Sequence, residues 1–258
     1  MTERSRRPVT AAPAVEARGQ SQPRASAIIV AAGRSSRMGG PDKLFALLDG
    51  RPLLYYAIAA FERCPAINHI TLVLSEESAG PALDLLRSAC FDKVDGTCLG
   101  GSRRQDSVQA GVRAMRACEW VVVHDAARPL VTPELVDAGI AAAQETGAAT
   151  AALPVVDTLK EAASDGTILW TVDRERLWAV QTPQVFRYDL LLAAHEQEGV
   201  DATDDAGLVE RLGARVYLYP GSRQNLKVTT PEDLAIAEAL LRRRLDQNVG
   251  GRPCPTKS

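Results

Sequence analysis

The sequence predicts an α/β protein, a doubly wound sheet with helices on both faces. Three observations carry that expectation. Short, continuous, β-branched apolar runs recur along the chain, as strands covered on both sides require. Segments with helical spacing separate them, and two open on a Thr-Pro pair, an N-cap followed by proline at the first helical position. The length also fits, since 258 residues at about 150 per domain gives roughly 1.7 domains.

In chain order, residues 1–24 hold Arg4, Arg6, Arg7, Arg18 and Arg24 with prolines at 8, 13 and 23 and no hydrophobic period, so a disordered tail is expected. Such an Arg-rich, acid-poor tail also suits a transit peptide, although its prolines oppose an amphipathic helix. Strands are expected at 27–31, 70–74 and 121–123, with weaker candidates at 148–153 and 216–219. Helices are expected at 53–61 after Pro52, at 82–89 after Gly80 and Pro81, and at 104–117, where Val108, Val112 and Met115 share one face. Two more are expected at 133–144 after Thr132 and at 231–245 after Thr230. The domain is thus 25–245, and 246–258 is a second disordered tail.

One stretch breaks the alternation. Residues 155–160 read as a strand, Asp165 and Gly166 as a hairpin turn, and 167–172 as the returning strand. A two-stranded ribbon is marginal alone in water, and Leu169 and Trp170 are costly to expose. The arm, about 155–180, is therefore expected to dock on a second subunit. Packing on its own domain is the plainer alternative.

Composition narrows the function. Thirty Lys+Arg against 32 Asp+Glu give a net charge of -2, and aromatics are 5%, which argues against a nucleic-acid binder. No apolar run approaches a membrane span, and the N-terminus lacks an apolar signal core. Cys64, Cys90, Cys98, Cys118 and Cys254 form no C-x-x-C pair and, with three scattered histidines, no zinc spacing. A cytoplasmic protein with reduced thiols is expected.

The first strand runs into AAGRSSRMGG at 31–40, a small-residue turn where open α/β sheets bind ligands. It fails the dinucleotide fingerprint, with Ser35 and Met38 where glycines belong, and no G-K-[ST] follows for a Walker loop. Arg34, Arg37 and Lys43 make it cationic instead, which suits a triphosphate that loses pyrophosphate. Gly100 and Gly101 precede the helix of Ser107 and would let backbone approach a base or sugar. After the third strand, Asp125 could hold a divalent metal or substrate hydroxyl and Arg128 an anion. The plainer alternative is a local Asp125–Arg128 pair. His124 reads as structural, QTPQ at 181–184 as a polar turn, and Lys227 by itself as one more lysine.

Together and in this order, AAGRSSRM, Lys43, GGSRRQDSV, VHDAARP, DTLK, TVDR, QTPQ and NLKVTTPED resemble the 2-C-methyl-D-erythritol 4-phosphate cytidylyltransferases over about residues 25–245. The resemblance implies a Rossmann-like nucleotidyltransferase sheet with an inserted β-hairpin arm for dimerisation. It also implies condensation of CTP with a sugar-alcohol phosphate, with Mg²⁺, in a homodimer that needs neither nucleic acid nor membrane. By position it puts Ala31, Ala32 and Gly33 in the CTP turn, with Arg37 and Lys43 on the phosphates, and Gly100, Gly101 and Ser107 at cytosine and ribose. Asp125 falls by the metal and the substrate hydroxyls, with Arg128 beside the acceptor. Thr158 and Arg174 reach the acceptor phosphate from a partner's arm. Thr203 and Lys227 complete that site, and Arg37, Lys43 and Lys227 are the catalytic cations. Three positions depart from the family pattern. Ser35 replaces a glycine, and Ser102 and Gln224 replace common acids, so no base contact is assigned to Ser102 and no second metal ligand to Gln224.

Rival expectations are a pentitol-phosphate enzyme using ribitol 5-phosphate, an NAD(P)-dependent oxidoreductase, and a non-catalytic nucleotide-binding module. DTLK and TVDR favour the methylerythritol enzyme, the failed fingerprint opposes NAD(P), and the cations oppose an idle module. A fusion with the cyclodiphosphate synthase is not expected, because the chain after residue 245 is too short for it.

Overall fold

A computed structural model describes residues 25–33, 43–197, 199 and 201–249. The expected tail at 1–24, Arg37, Ser35 and residues 250–258 lie outside the described residues.

Seven strands form the central sheet: β1 (Ala25–Ala31), β4 (Ile67–Leu74), β5 (Val94–Leu99), β6 (Trp120–Asp125), β7 (Ala148–Pro154), β10 (Trp178–Arg187) and β11 (Tyr217–Pro220). Their order is β11-β7-β10-β6-β1-β4-β5. Two small antiparallel pairs stand apart, β2 (Leu47–Leu48) with β3 (Arg51–Pro52), and β8 (Leu159–Ala162) with β9 (Ile168–Val172).

Alternate residues of each central strand enter different cores. Ala27, Ile29 and Ala31 face the side covered by α1 (Leu53–Arg63), α2 (Glu76–Ala89), α4 (Pro133–Thr146) and α7 (Pro231–Val249). Ile28, Val121 and Val123 face α3 (Arg104–Ala114), α5 (Tyr188–His195) and α6 (Asp205–Arg211). Helices on both faces are thus the direct consequence of strands apolar on both sides.

Several expectations need correction. The sheet is mixed, because β10 runs antiparallel to both β6 and β7. The QTPQ segment is no turn but the middle of β10. Its polar side chains are buried there because neighbours satisfy them: Gln184 donates to Thr150 Oγ1 and Asp204 Oδ2, and Gln181 bonds the backbone of Ser222. Pro183, with no N–H for the ladder, sits inside a register shift between Val180 and Gln184. Helix α2 begins at Glu76, well before Pro81, because Ser75 caps it and accepts from the Ser78 N–H at 3.1 Å. Helix α3 stops at Ala114, and α7 continues to Val249 past the expected boundary at 245.

The hairpin's turn and returning strand form where expected, but its first strand is Leu159–Ala162 rather than 155–160. Thr167 N–H donates to Asp165 Oδ1, Gly166 takes a positive φ of 86°, and the Val155 N–H donates to Leu177 O, so the arm grows from the end of the β7–β10 ladder. On the arm, Ile168, Leu169 and Trp170 are 58%, 52% and 54% exposed.

Candidate active site

The parallel strands set the site. From central β1 the chain moves to β4 and β5 on one side, then returns to β6 on the other, and a crevice opens at the carboxyl ends where that direction reverses. There lies a cavity of about 630 Å³, lined by Ala31, Ala32 and Gly33 after β1, Gly100 and Gly101 after β5, and Asp125 ending β6. Lys43, Arg104, Ser107 and Lys227 also line it.

The glycine pair is required by its neighbours. A Cβ on Gly100 would stand 2.4 Å from Ala32 Cβ and 2.6 Å from Ser107 Oγ, and one on Gly101 would stand 2.4 Å from Asp106 Cβ. Ser107 holds this loop, its hydroxyl accepting from Gly101 N–H at 3.2 Å and donating to Arg103 O at 3.1 Å. It stabilises the cavity wall first.

Asp125 is 8% exposed, and both its oxygens are engaged. Arg104 Nε donates to Oδ1 at 3.0 Å and Lys227 Nζ to Oδ2 at 2.8 Å. Burial alone would raise this carboxyl, but the charges of Arg104 and Lys227 and their hydrogen bonds outweigh it and hold the group well below the usual carboxylate range. The local pair with Arg128 does not form. Arg128 donates instead to Asn225 O at 2.8 Å, bracing the segment that carries Lys227. Lys43, in a short 3-10 turn at Lys43–Phe45, donates to Val228 O at 3.1 Å and so joins the first turn to that same segment.

His124 is structural, and its tautomer follows from its partners. The Asp125 N–H donates to Thr182 Oγ1, and the carbonyl of Arg128 can only accept from His124 Nε2. Nδ1 is therefore the acceptor, receiving the Thr182 hydroxyl. Burial pushes the imidazole down to about 4, so the ring stays neutral and holds the Asp125 turn.

Of the expected site residues, Ala31, Ala32, Gly33, Lys43, Gly100, Gly101, Ser107, Asp125 and Lys227 meet at one cavity. Arg128, Thr158, Arg174 and Thr203 are not among its lining residues. Thr203 lines a separate hollow with Asp201 and Arg211, and Arg174 donates to the backbone oxygen of Val156 on the arm. Sequence reasoning missed Arg104 and Asp205. Arg103 and Arg104 are indistinguishable along the chain, yet Arg103 faces solvent while Arg104 reaches inward to Asp125 and Asp205. Similarly, Asp204 caps α6 while Asp205 is fully buried.

No cluster of three or more His, Cys, Asp or Glu side chains able to hold a metal occurs among the described residues. Asp125 still fits a cation that arrives on a triphosphate, since each of its oxygens makes one hydrogen bond and keeps a lone pair.

A family model described as 2-C-methyl-D-erythritol 4-phosphate cytidylyltransferase (IspD) matches residues 25–243. A protein of that name from Dehalococcoides mccartyi is 48% identical over 217 residues, covering 84% of this chain and 96% of its own length. Another, from Clostridium acetobutylicum, is 43% identical over 222 residues, covering 84% and 97%. Among solved structures, the 4-diphosphocytidyl-2C-methyl-D-erythritol synthase of Anaerococcus prevotii is similar with a TM-score of 0.74 at 30% identity, covering 86% of this chain and 100% of that one. The 2-C-methyl-D-erythritol 4-phosphate cytidylyltransferase of Thermus thermophilus gives 0.69 at 35% identity, covering 83% and 98%.

Proposed function

The chain belongs to the 2-C-methyl-D-erythritol 4-phosphate cytidylyltransferase family, and from that membership we infer that it transfers the cytidylyl group of CTP to 2-C-methyl-D-erythritol 4-phosphate. The products are 4-diphosphocytidyl-2-C-methyl-D-erythritol and pyrophosphate, in the non-mevalonate route to isoprenoids. The observation that carries this reading is the single cavity at the switch point of the sheet, where a glycine pair, Lys43, Arg104, Lys227 and Asp125 converge.

An oxygen of the acceptor phosphate attacks the α-phosphorus in line, the new P–O bond forms, and pyrophosphate leaves with the electron pair of the bond to the β-phosphate. The acceptor phosphate is ionised at neutral pH, so no side chain has to remove a proton and no covalent enzyme intermediate is needed. The protein brings two polyanions together and neutralises charge that grows in the transition state. Lys43, Lys227 and Arg37 supply that charge, and the backbone of 31–33 receives the triphosphate. Gly100 and Gly101 leave room for the base and ribose. Mg²⁺, when bound, supplies Lewis-acid neutralisation of the phosphate oxygens, with Asp125 as its protein ligand.

The acceptor site is completed by Arg128 and Thr203 and, from a second copy, by Thr158 and Arg174 on the arm. The exposed Ile168, Leu169 and Trp170 support a homodimer through that arm. The unpaired Cys64, Cys90, Cys98 and Cys118 support a cytoplasmic site of action. Among the described residues no helix is long and apolar enough to cross a membrane.

Pyrophosphate release from CTP and Mg²⁺, with methylerythritol phosphate and ribitol 5-phosphate in parallel, tests this function. Release with the former alone is expected. Release with ribitol 5-phosphate alone would keep the mechanism and change the acceptor, and no release with either would return the chain to a binding module.

A further inference from the structure

The ion pairs at Asp125 continue behind the cavity. Arg104 donates with Nη1 to Asp205 Oδ2 at 2.6 Å, and the other oxygen of Asp205 accepts from His195 Nε2 at 3.0 Å. Three segments far apart in the chain meet here: the start of α3, the end of α5 and the start of α6. The Asp205 and His195 side chains are 0% and 1% exposed, and neither lines the cavity, so neither touches a substrate held there.

A fully buried carboxylate carries a desolvation penalty that its partners must offset. Capping does not explain Asp205, because Asp204 already accepts the Gly207 N–H at the start of α6. Asp205 does balance the second of two cations, since Asp125 is shared by Arg104 and Lys227, but charge balance alone does not fix where the guanidinium points. What Asp205 adds is direction. The Nε and Nη2 edge of a guanidinium is a fork that fits both oxygens of one carboxylate. Arg104 uses only half of that fork on Asp125: Nε holds Oδ1, while Nη2 is buried with no hydrogen-bond partner among the described residues. Asp125 Oδ2 is thereby left to Lys227.

We infer that Asp205, held in turn by His195, is a positioning residue for the transfer reaction. By pulling on Nη1 it keeps Arg104 from closing its fork on Asp125, and so preserves the Lys227–Asp125 contact that faces the cavity. Without the charge at 205 the guanidinium turns to satisfy Nη2, grips both Asp125 oxygens and displaces Lys227. This inference rests on the proposed cytidylyl transfer, which gives Asp125 and Lys227 their roles.

The test is steady-state pyrophosphate release by the full chain carrying Asp205→Asn, Asp125→Asn or both. Asparagine keeps the shape and an oxygen acceptor but removes the charge. Asp205→Asn is expected to lower kcat about tenfold, as loss of an orienting partner behind a site typically does, with the KM for CTP changed less than about twofold. In the Asp125→Asn background the same change is expected to cost less than about twofold, because the group it positions is already gone. An unchanged kcat with a lowered Tm would make Asp205 merely structural, and losses that multiply would show that it acts elsewhere; either result overturns the inference. Should Asp205→Asn fail to fold, His195→Ala decides by the same comparison. It is expected to lower kcat about threefold, with His195→Gln, which can still donate to Asp205, restoring it. A wild-type chain that releases no pyrophosphate overturns the proposed transfer and this inference with it, whereas a wild-type chain that turns over while the losses multiply overturns this inference alone.

Discussion

Asp125 and Trp170 present opposite problems to the chain. Asp125 is a charge placed where water is scarce, and the chain answers it internally with Arg104 on one oxygen and Lys227 on the other. Trp170 is a large apolar side chain placed where water is plentiful, and at 54% exposed the chain leaves it unanswered. A buried charge without partners costs too much to persist, so Asp125 has to find its partners within its own subunit. An exposed apolar ribbon costs less and is tolerated until another surface covers it. Asp125 is therefore paired within one chain, while the apolar side chains of the arm stay exposed.

The largest effect that would sharpen this contrast lies on the cavity side. Lys43→Ala is expected to reduce kcat by about 10² to 10³, roughly 3–4 kcal/mol, if it removes a transition-state donor. Its Tm should fall far less, because the side chain lines the cavity rather than the core, where its ammonium donates to Val228 O. Near-normal kcat would remove Lys43 from the catalytic set.

Next comes the pH dependence of the internally finished region. The folded His124 sits at about 4, whereas an unfolded imidazole takes up its proton near 6.5. Between those values the unfolded state binds more protons, so stability falls as pH drops through that window, by about 3 kcal/mol from this group. Asp125 and Asp205, both held below the usual carboxylate range, extend the loss below about pH 4. Urea titrations at several pH values should show a slope between pH 4 and 6.5 that His124→Gln flattens. An identical slope in that variant would refute the assignment.

Smaller effects belong to the arm. Trp170→Ser should weaken the proposed dimer by about 2 kcal/mol, roughly 30-fold in Kd, without altering the fold of the sheet. Sedimentation of the wild-type chain as a monomer at micromolar concentration would break the contrast outright. Arg174→Ala should raise the acceptor's KM about tenfold and leave kcat nearly unchanged, the loss of one charge-assisted hydrogen bond. Mixed dimers of that variant with Lys43→Ala should recover activity at one site if the arm acts across subunits.

Much of this was legible along the chain because it is local. Strand runs, the Thr132 and Thr230 caps and the Asp165-Gly166 turn are decided by residues within a few positions of each other, and each appears in the structure. Segment 181–184 was not legible, because whether two glutamines and a threonine make a turn or a buried strand depends on Thr150, Asp204 and Ser222, which lie elsewhere in sequence. Nor could Arg104 be told from Arg103.

By itself, then, the sequence determined the class of sheet, the glycine and cation motifs at its carboxyl end, and the hairpin that leaves the domain. Periodicity and turn chemistry act between near neighbours, and the order of the motifs was enough to reveal the family resemblance. Only the tertiary structure decided which charges meet. Arg104 finds Asp125 across 21 residues and Asp205 across 101, while Lys227 finds Asp125 across 102. Those pairings depend on which strand ends and helix ends the sheet order brings together, and in a low-dielectric interior that convergence sets the charge and orientation of the carboxylate at the centre of the site.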